Sequence, residues 1–120
     1  STHDMSTLRG WWEENPANTQ AYYNEVLQHP GKAPETATPE ICQEIIWQHL
    51  QGTSMLCIPS LQDWLSIDGE VRNPQSDERI NIPANPRHYW RWRMHLTLEK
   101  LLKEEALNNK IRTLIKESGR

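Results

Sequence analysis

Apolar residues recur every three or four positions along most of this chain, the spacing of helices with one buried face. The stretch TPEICQEIIWQHLQG shows the pattern most clearly, with Ile41, Cys42, Ile45, Ile46, His49 and Leu50 on one side. Thr38 stands where a cap belongs, Pro39 falls in the first turn where its missing N–H costs nothing, and Gly52 follows the end. Upstream, STLRGWWEEN predicts a helix from Ser6 that stops before Pro16. PANTQAYYNEVLQ predicts a second, opening on Pro16 and burying Ala17, Tyr22, Val26 and Leu27. HPGKAPETAT, with Pro and Gly among small polar residues, reads as a connector.

The period changes at Met55 to Ile58, where MLCI is apolar throughout, bounded by Thr-Ser before and Pro59 after. A helix leading within a few residues into such a run predicts an α-to-β connection into a buried parallel strand. SLQDWLSI then predicts a short helix, and DGEVRNPQSDERINIPANPRH a long polar loop stiffened by Pro74, Pro83 and Pro86. The last third, TLEKLLKEEALNNKIRTLIKES, is helical, but Leu98, Leu101 and Leu102 point away from Leu107, Ile111, Leu114 and Ile115. A break near Lys103 to Glu105 resolves that shift of phase. The expected class is mostly α with one or two short parallel strands, the first a strand remnant at residue 1. One parallel strand cannot make a sheet, so the pattern predicts a fragment whose sheet partners lie elsewhere.

Composition narrows the function. Thirteen basic residues against 16 acidic ones give a net charge of −3, unsuited to general nucleic-acid binding. No apolar run approaches the ~20 residues of a membrane helix, and no signal peptide is visible. Cys42 and Cys57 lie in apolar company without a CxxC pair, which predicts buried reduced thiols and a cytoplasmic setting. Six Trp and no Phe is an unusual balance, because an indole's broad face and single N–H suit interfaces and sugar platforms as well as cores.

Three clusters can carry chemistry. His3-Asp4 couples an imidazole to a carboxylate, for acid–base work or for binding sugar hydroxyls, although the dipeptide alone specifies no mechanism. Gln62 and Asp63 follow the expected strand, where ligands of α/β folds gather; equally, Ser60 and Asp63 can simply cap the next helix. Arg79, Arg87, Arg91 and Arg93 among Tyr89, Trp90 and Trp92 resemble a base-stacking surface, but the acidic balance favours a structural Arg–aromatic cluster that buttresses the loop. His3, His29, His49, His88 and His95 show no metal-ligand spacing, no Gly-rich phosphate loop or GxSxG elbow occurs, and neither a metal nor a cofactor is expected.

Taken in order, Thr2-His3-Asp4, Gly10-Trp11-Trp12, Pro59-Ser60-Leu61-Gln62-Asp63, Arg79-Ile80-Asn81-Ile82-Pro83 and Tyr89-Trp90-Arg91-Trp92-Arg93 resemble the C-terminal part of the 4-α-glucanotransferases of glycoside hydrolase family 77. The WWEE and HYWRWRMHLTLEKLLK wording is similar to the long subtype of the plant cytosolic disproportionating enzymes. Ser60 is an insertion relative to the short members, and Ala84 stands where the family usually has Gly. The resemblance implies that residues 1–120 are the C-terminal sector of a (β/α)8 catalytic barrel, from the end of its seventh strand through its eighth and the closing helices. It implies a retaining double displacement between malto-oligosaccharides. Asp4 would be the third catalytic carboxylate, stabilising the oxocarbenium-like transition state, and His3 would bind hydroxyls of the same sugar. Asn81 would line the acceptor side, with Gln62 and Asp63 as weaker substrate contacts. The nucleophilic Asp and the acid/base Glu would lie upstream, leaving these 120 residues inactive alone, dependent on the rest of the polypeptide and prone to self-associate. The rival expectation is a non-catalytic helical interaction module whose Trp residues meet a partner.

Overall fold

The computed structural model describes residues 2–120. Among these, six α-helices follow one another: α1 (Leu8–Glu14), α2 (Pro16–Ala21), α3 (Pro39–Gln51), α4 (Leu61–Leu65), α5 (Leu98–Lys103) and α6 (Glu105–Glu117). A π-helical turn (Tyr22–Val26) continues α2. Side chains chosen for capping start most of them. Thr7 accepts from the Gly10 N–H at 3.1 Å to open α1. Asn15 both ends α1 and opens α2, accepting from the Ala17 and Asn18 amides. Thr38, Ser60 and Thr97 do the same for α3, α4 and α5, each satisfying a donor the helix itself leaves free. A Cβ at Gly10 would stand 3.3 Å from the Thr7 hydroxyl, so the tight cap and the glycine go together.

One core joins these pieces. Trp12, fully buried, sends its indole N–H to the Pro34 carbonyl at 2.9 Å. The α3 face Ile41, Cys42, Ile45, Ile46 and Leu50 is buried as expected, each large apolar side chain stabilising the fold by about 1.5–3 kcal/mol. Leu107 and Leu114 of α6 and Leu65, Ile67 and Val71 complete the cluster. The helix break falls at Glu104, whose φ of −76° and ψ of 71° turn α5 into α6. Arg120 hooks back onto the end of α3, donating to the carbonyls of Leu50, Gly52 and Ser54 at 2.6–2.8 Å. The long loop after α4 is pinned by polar contacts: Arg72 donates to the Ala37 carbonyl at 2.8 Å, and His95 to that of Val71 at 2.7 Å.

The class expected from sequence needs correction. Every regular element among the described residues is helical, and they form no strand, no parallel pair and no barrel sector. Met55 to Ile58 run as an irregular segment, with Met55, Leu56 and Ile58 exposed by 93%, 74% and 70%. The physical reason is that a strand exists only through a neighbour that completes its ladder, and no ladder forms here. The strand remnant at residue 1 lies outside the described residues. Smaller differences follow from local packing: Ala17 and Val26 are exposed, Cys57 is half-buried, and α1 starts at Leu8, not Ser6.

Candidate functional site

A turn closed by the Met5 N–H on the Thr2 carbonyl (3.1 Å) sets His3 and Asp4 at its tip. Both side chains are about half exposed, and the imidazole Nε2 lies 3.4 Å from Asp4 Oδ1. The same carboxylate oxygen accepts from the Asn81 amide at 2.7 Å. Two residues 77 positions apart are thereby brought together. Arg79 reinforces the junction, donating to the Asp4 carbonyl at 2.8 Å and to the Asn81 carbonyl at 3.2 Å. Its Nη1 also pairs with Glu14 at 3.7 Å.

Beside this turn lies a cavity of 260 Å³ whose walls include His3, Gln62, Asp63, Glu78 and Arg79. Gln62 and Asp63 thus share this cavity with His3, but their polar groups are already engaged. Asp63 accepts from the Leu8 N–H at 2.8 Å and from the Ser60 hydroxyl at 2.7 Å. Gln62 is buried and donates to the Glu78 carbonyl at 3.4 Å. The alternative in which Ser60 caps α4 holds, since its hydroxyl also accepts from the Asp63 N–H.

Sequence reasoning missed what lies behind the site. Arg9 on α1 and Glu78 in the long loop are both buried, with Nη1 and Oε2 3.8 Å apart. Arg9 is held by the carbonyls of Asn73 and Gln75 at 2.6 and 3.1 Å, while Glu78 Oε1 is buried without a hydrogen-bond partner. Burial pushes the Glu78 carboxyl above its ordinary value, and the Arg9 charge draws it back less strongly. Burial, then the charge of Arg72, lowers Arg9. The one available signal was the charged triplet Asp77-Glu78-Arg79 in a Pro-rich loop, a pattern that ordinarily marks a solvated surface.

The Arg–aromatic segment departs from expectation too. Tyr89 and Trp90 are exposed, so they do not buttress the loop from within. Trp90 instead lies against His3, ring centroids 4.4 Å apart. Among the described residues, no three His, Cys, Asp or Glu side chains converge as a metal would require. No helix among them is long and apolar enough to cross a membrane.

Comparison with known proteins gives this arrangement its context. The chain is 41% identical to the 4-alpha-glucanotransferase DPE2 of Oryza sativa subsp. japonica over its whole length, which is 13% of the rice protein. It is 31% identical to the chloroplastic/amyloplastic 4-alpha-glucanotransferase DPE1 of the same plant, over 78% of this chain and 14% of the relative. The 4-alpha-glucanotransferase of Chlamydia trachomatis is 29% identical over 95% of this chain and 21% of its own length. The chain therefore spans between about an eighth and a fifth of the relatives it matches. No solved structure matches it. The family model described as 4-alpha-glucanotransferase matches residues 1–98, a stretch holding the His3-Asp4 turn, the cavity and Asn81, and the chain belongs to that family, glycoside hydrolase family 77.

Proposed function

We propose that residues 1–120 form the C-terminal part of a longer 4-alpha-glucanotransferase, which moves α-1,4-glucan segments between malto-oligosaccharides such as maltose and starch-derived glucans. The observation that carries this reading is the 2.7 Å hydrogen bond from Asn81 to Asp4, which joins the two family motifs at one carboxylate. In a retaining transfer, positive charge develops at the anomeric carbon before a second sugar hydroxyl displaces the enzyme. A fixed negative group beside that carbon stabilises the transition state more than the ground state. Asp4 supplies it, oriented by Asn81, while the backbone at Asp4 is held by Arg79. His3 and Asn81 also meet sugar hydroxyls. Gln62 and Asp63, committed to partners of their own, shape the wall the sugar meets.

The nucleophile and the acid/base belong to the remainder of the enzyme, so the 120-residue chain alone transfers nothing. Both cysteines are free thiols, which supports a cytoplasmic setting. The test is disproportionation of maltotriose by the full-length enzyme, followed as glucose release and the appearance of longer glucans. Asp4→Asn is expected to lower kcat on the order of a hundred- to a thousandfold with KM changed little. Retained turnover in that variant, or products formed by the 120-residue chain alone, would overturn the assignment. A helical interaction module remains the second reading, favoured only by the exposed aromatics Trp11, Tyr89 and Trp90.

A further inference from the structure

The segment Tyr89–Arg93 reads YWRWR, and its two leading rings lie mostly in solvent, Trp90 being 59% exposed. Trp90 is nonetheless placed by a definite neighbour. Its ring is tilted 43° against that of His3, and His3 adjoins the Asp4 carboxylate. Trp90 also joins Arg91, Trp92 and Arg93 around an open recess of 540 Å³. The guanidinium of Arg91 sits 5.0 Å from the centre of the Tyr89 ring, which steadies the segment. Trp90 is therefore the link between the Asp4 turn and a second cavity, lined by four residues of the YWRWR motif, for which the resemblance supplied no role.

We propose that Trp90 is a stacking platform for a glucan ring lying outward of the sugar at Asp4, with the recess beyond it taking the next ring. This rests on the glucan-transfer reading above. The chemistry of the walls selects the ligand. A pyranose presents C–H groups on its faces and hydroxyls around its rim. The indole of Trp90 suits the faces, and the donors of His3, Arg91 and Arg93 suit the rim. A nucleobase would also stack, but its phosphates would face the Asp4 carboxylate beside His3 on a chain of net charge −3. A covering protein segment would have to desolvate Arg91 and Arg93, both exposed and without ion-pair partners among the described contacts.

The experiment compares wild-type, Trp90→Ala, Trp90→Leu and Trp90→Phe full-length enzymes on maltotriose and maltoheptaose, with thermal melting of each. Trp90→Ala is expected to raise KM for maltoheptaose about tenfold, which is about 1.4 kcal/mol, with kcat held within about twofold. Trp90→Phe should recover most of the loss, Trp90→Leu little of it, and the effect on maltotriose should be smaller. An unchanged KM in Trp90→Ala, or Trp90→Leu matching Trp90→Phe, overturns the platform. A melting temperature that falls in Trp90→Ala and returns in Trp90→Leu, with KM at wild-type values, also overturns it and identifies Trp90 as a covered packing residue. If wild-type enzyme disproportionates neither glucan, it is the underlying transfer reading that fails.

Discussion

Arg9 and Glu78 face one another 3.8 Å apart, both side chains buried. Arg9 lies five residues after Asp4, and Glu78 three before Asn81, so the pair ties together the segments that meet at the site. Opposite charges at that depth barely offset their own desolvation, and burial accordingly raises the Glu78 carboxyl. An acid whose folded value lies above its unfolded one binds its proton more tightly in the folded protein. Its contribution to stability is complete below the ordinary carboxylate value of about 4.3 and is lost as pH rises through the raised folded value. Glu78→Gln keeps the shape and has no such proton to lose. Its melting temperature relative to wild type should therefore rise between about pH 4 and pH 7; a flat or falling difference refutes the argument. At this scale the motif residues were readable in advance, because His3, Asp4 and Asn81 lie in recognisable strings. The buried pair was not, since no local pattern distinguishes a loop carboxylate facing water from one facing an arginine.

Among the elements, α3 was readable almost residue by residue: cap, proline, apolar spacing and terminal glycine all agreed. Its Thr38 hydroxyl accepts from the Ile41 N–H at 3.3 Å. Thr38→Ala should cost about 1 kcal/mol, a fall in melting temperature of about 4 °C; an unchanged melt would mean that water replaces the cap at no loss. The α5–α6 break was legible from the same logic, because two apolar stripes out of phase cannot share one straight helix. Met55 to Ile58 shows where such reading fails. Four apolar residues in succession mark a segment that wants cover, and nothing local says whether that cover comes from the same 120 residues. The π turn at Tyr22–Val26 was equally hidden, since it depends on where Leu27 must reach to join the core: its N–H bonds back to the Tyr22 carbonyl at 3.0 Å.

As a whole the molecule carries more surface than its size requires. Its accessible area is 8308 Å², against about 6,700 Å² for a compact monomer of this mass. The radius of gyration, 14.9 Å, likewise exceeds the roughly 13.6 Å expected for 120 residues. The excess is about twice the roughly 800 Å² that one partner gives to a standard protein interface, and Met55, Leu56, Ile58 and Leu102 are the most exposed apolar residues. The purified chain should therefore self-associate as concentration rises, and Met55→Ser with Leu56→Ser should suppress this. Light scattering that finds a monomer at every concentration would rule it out. Arg120 gives this surface an unexpected control point. By gathering three carbonyls where α3 ends, its guanidinium acts as a clasp on the root of the 52–58 strap. How the greasy strap is offered to whatever covers it is thus governed from a side chain nearly seventy positions away, and loosening that clasp would blur the angle of presentation while leaving every residue of the strap itself untouched.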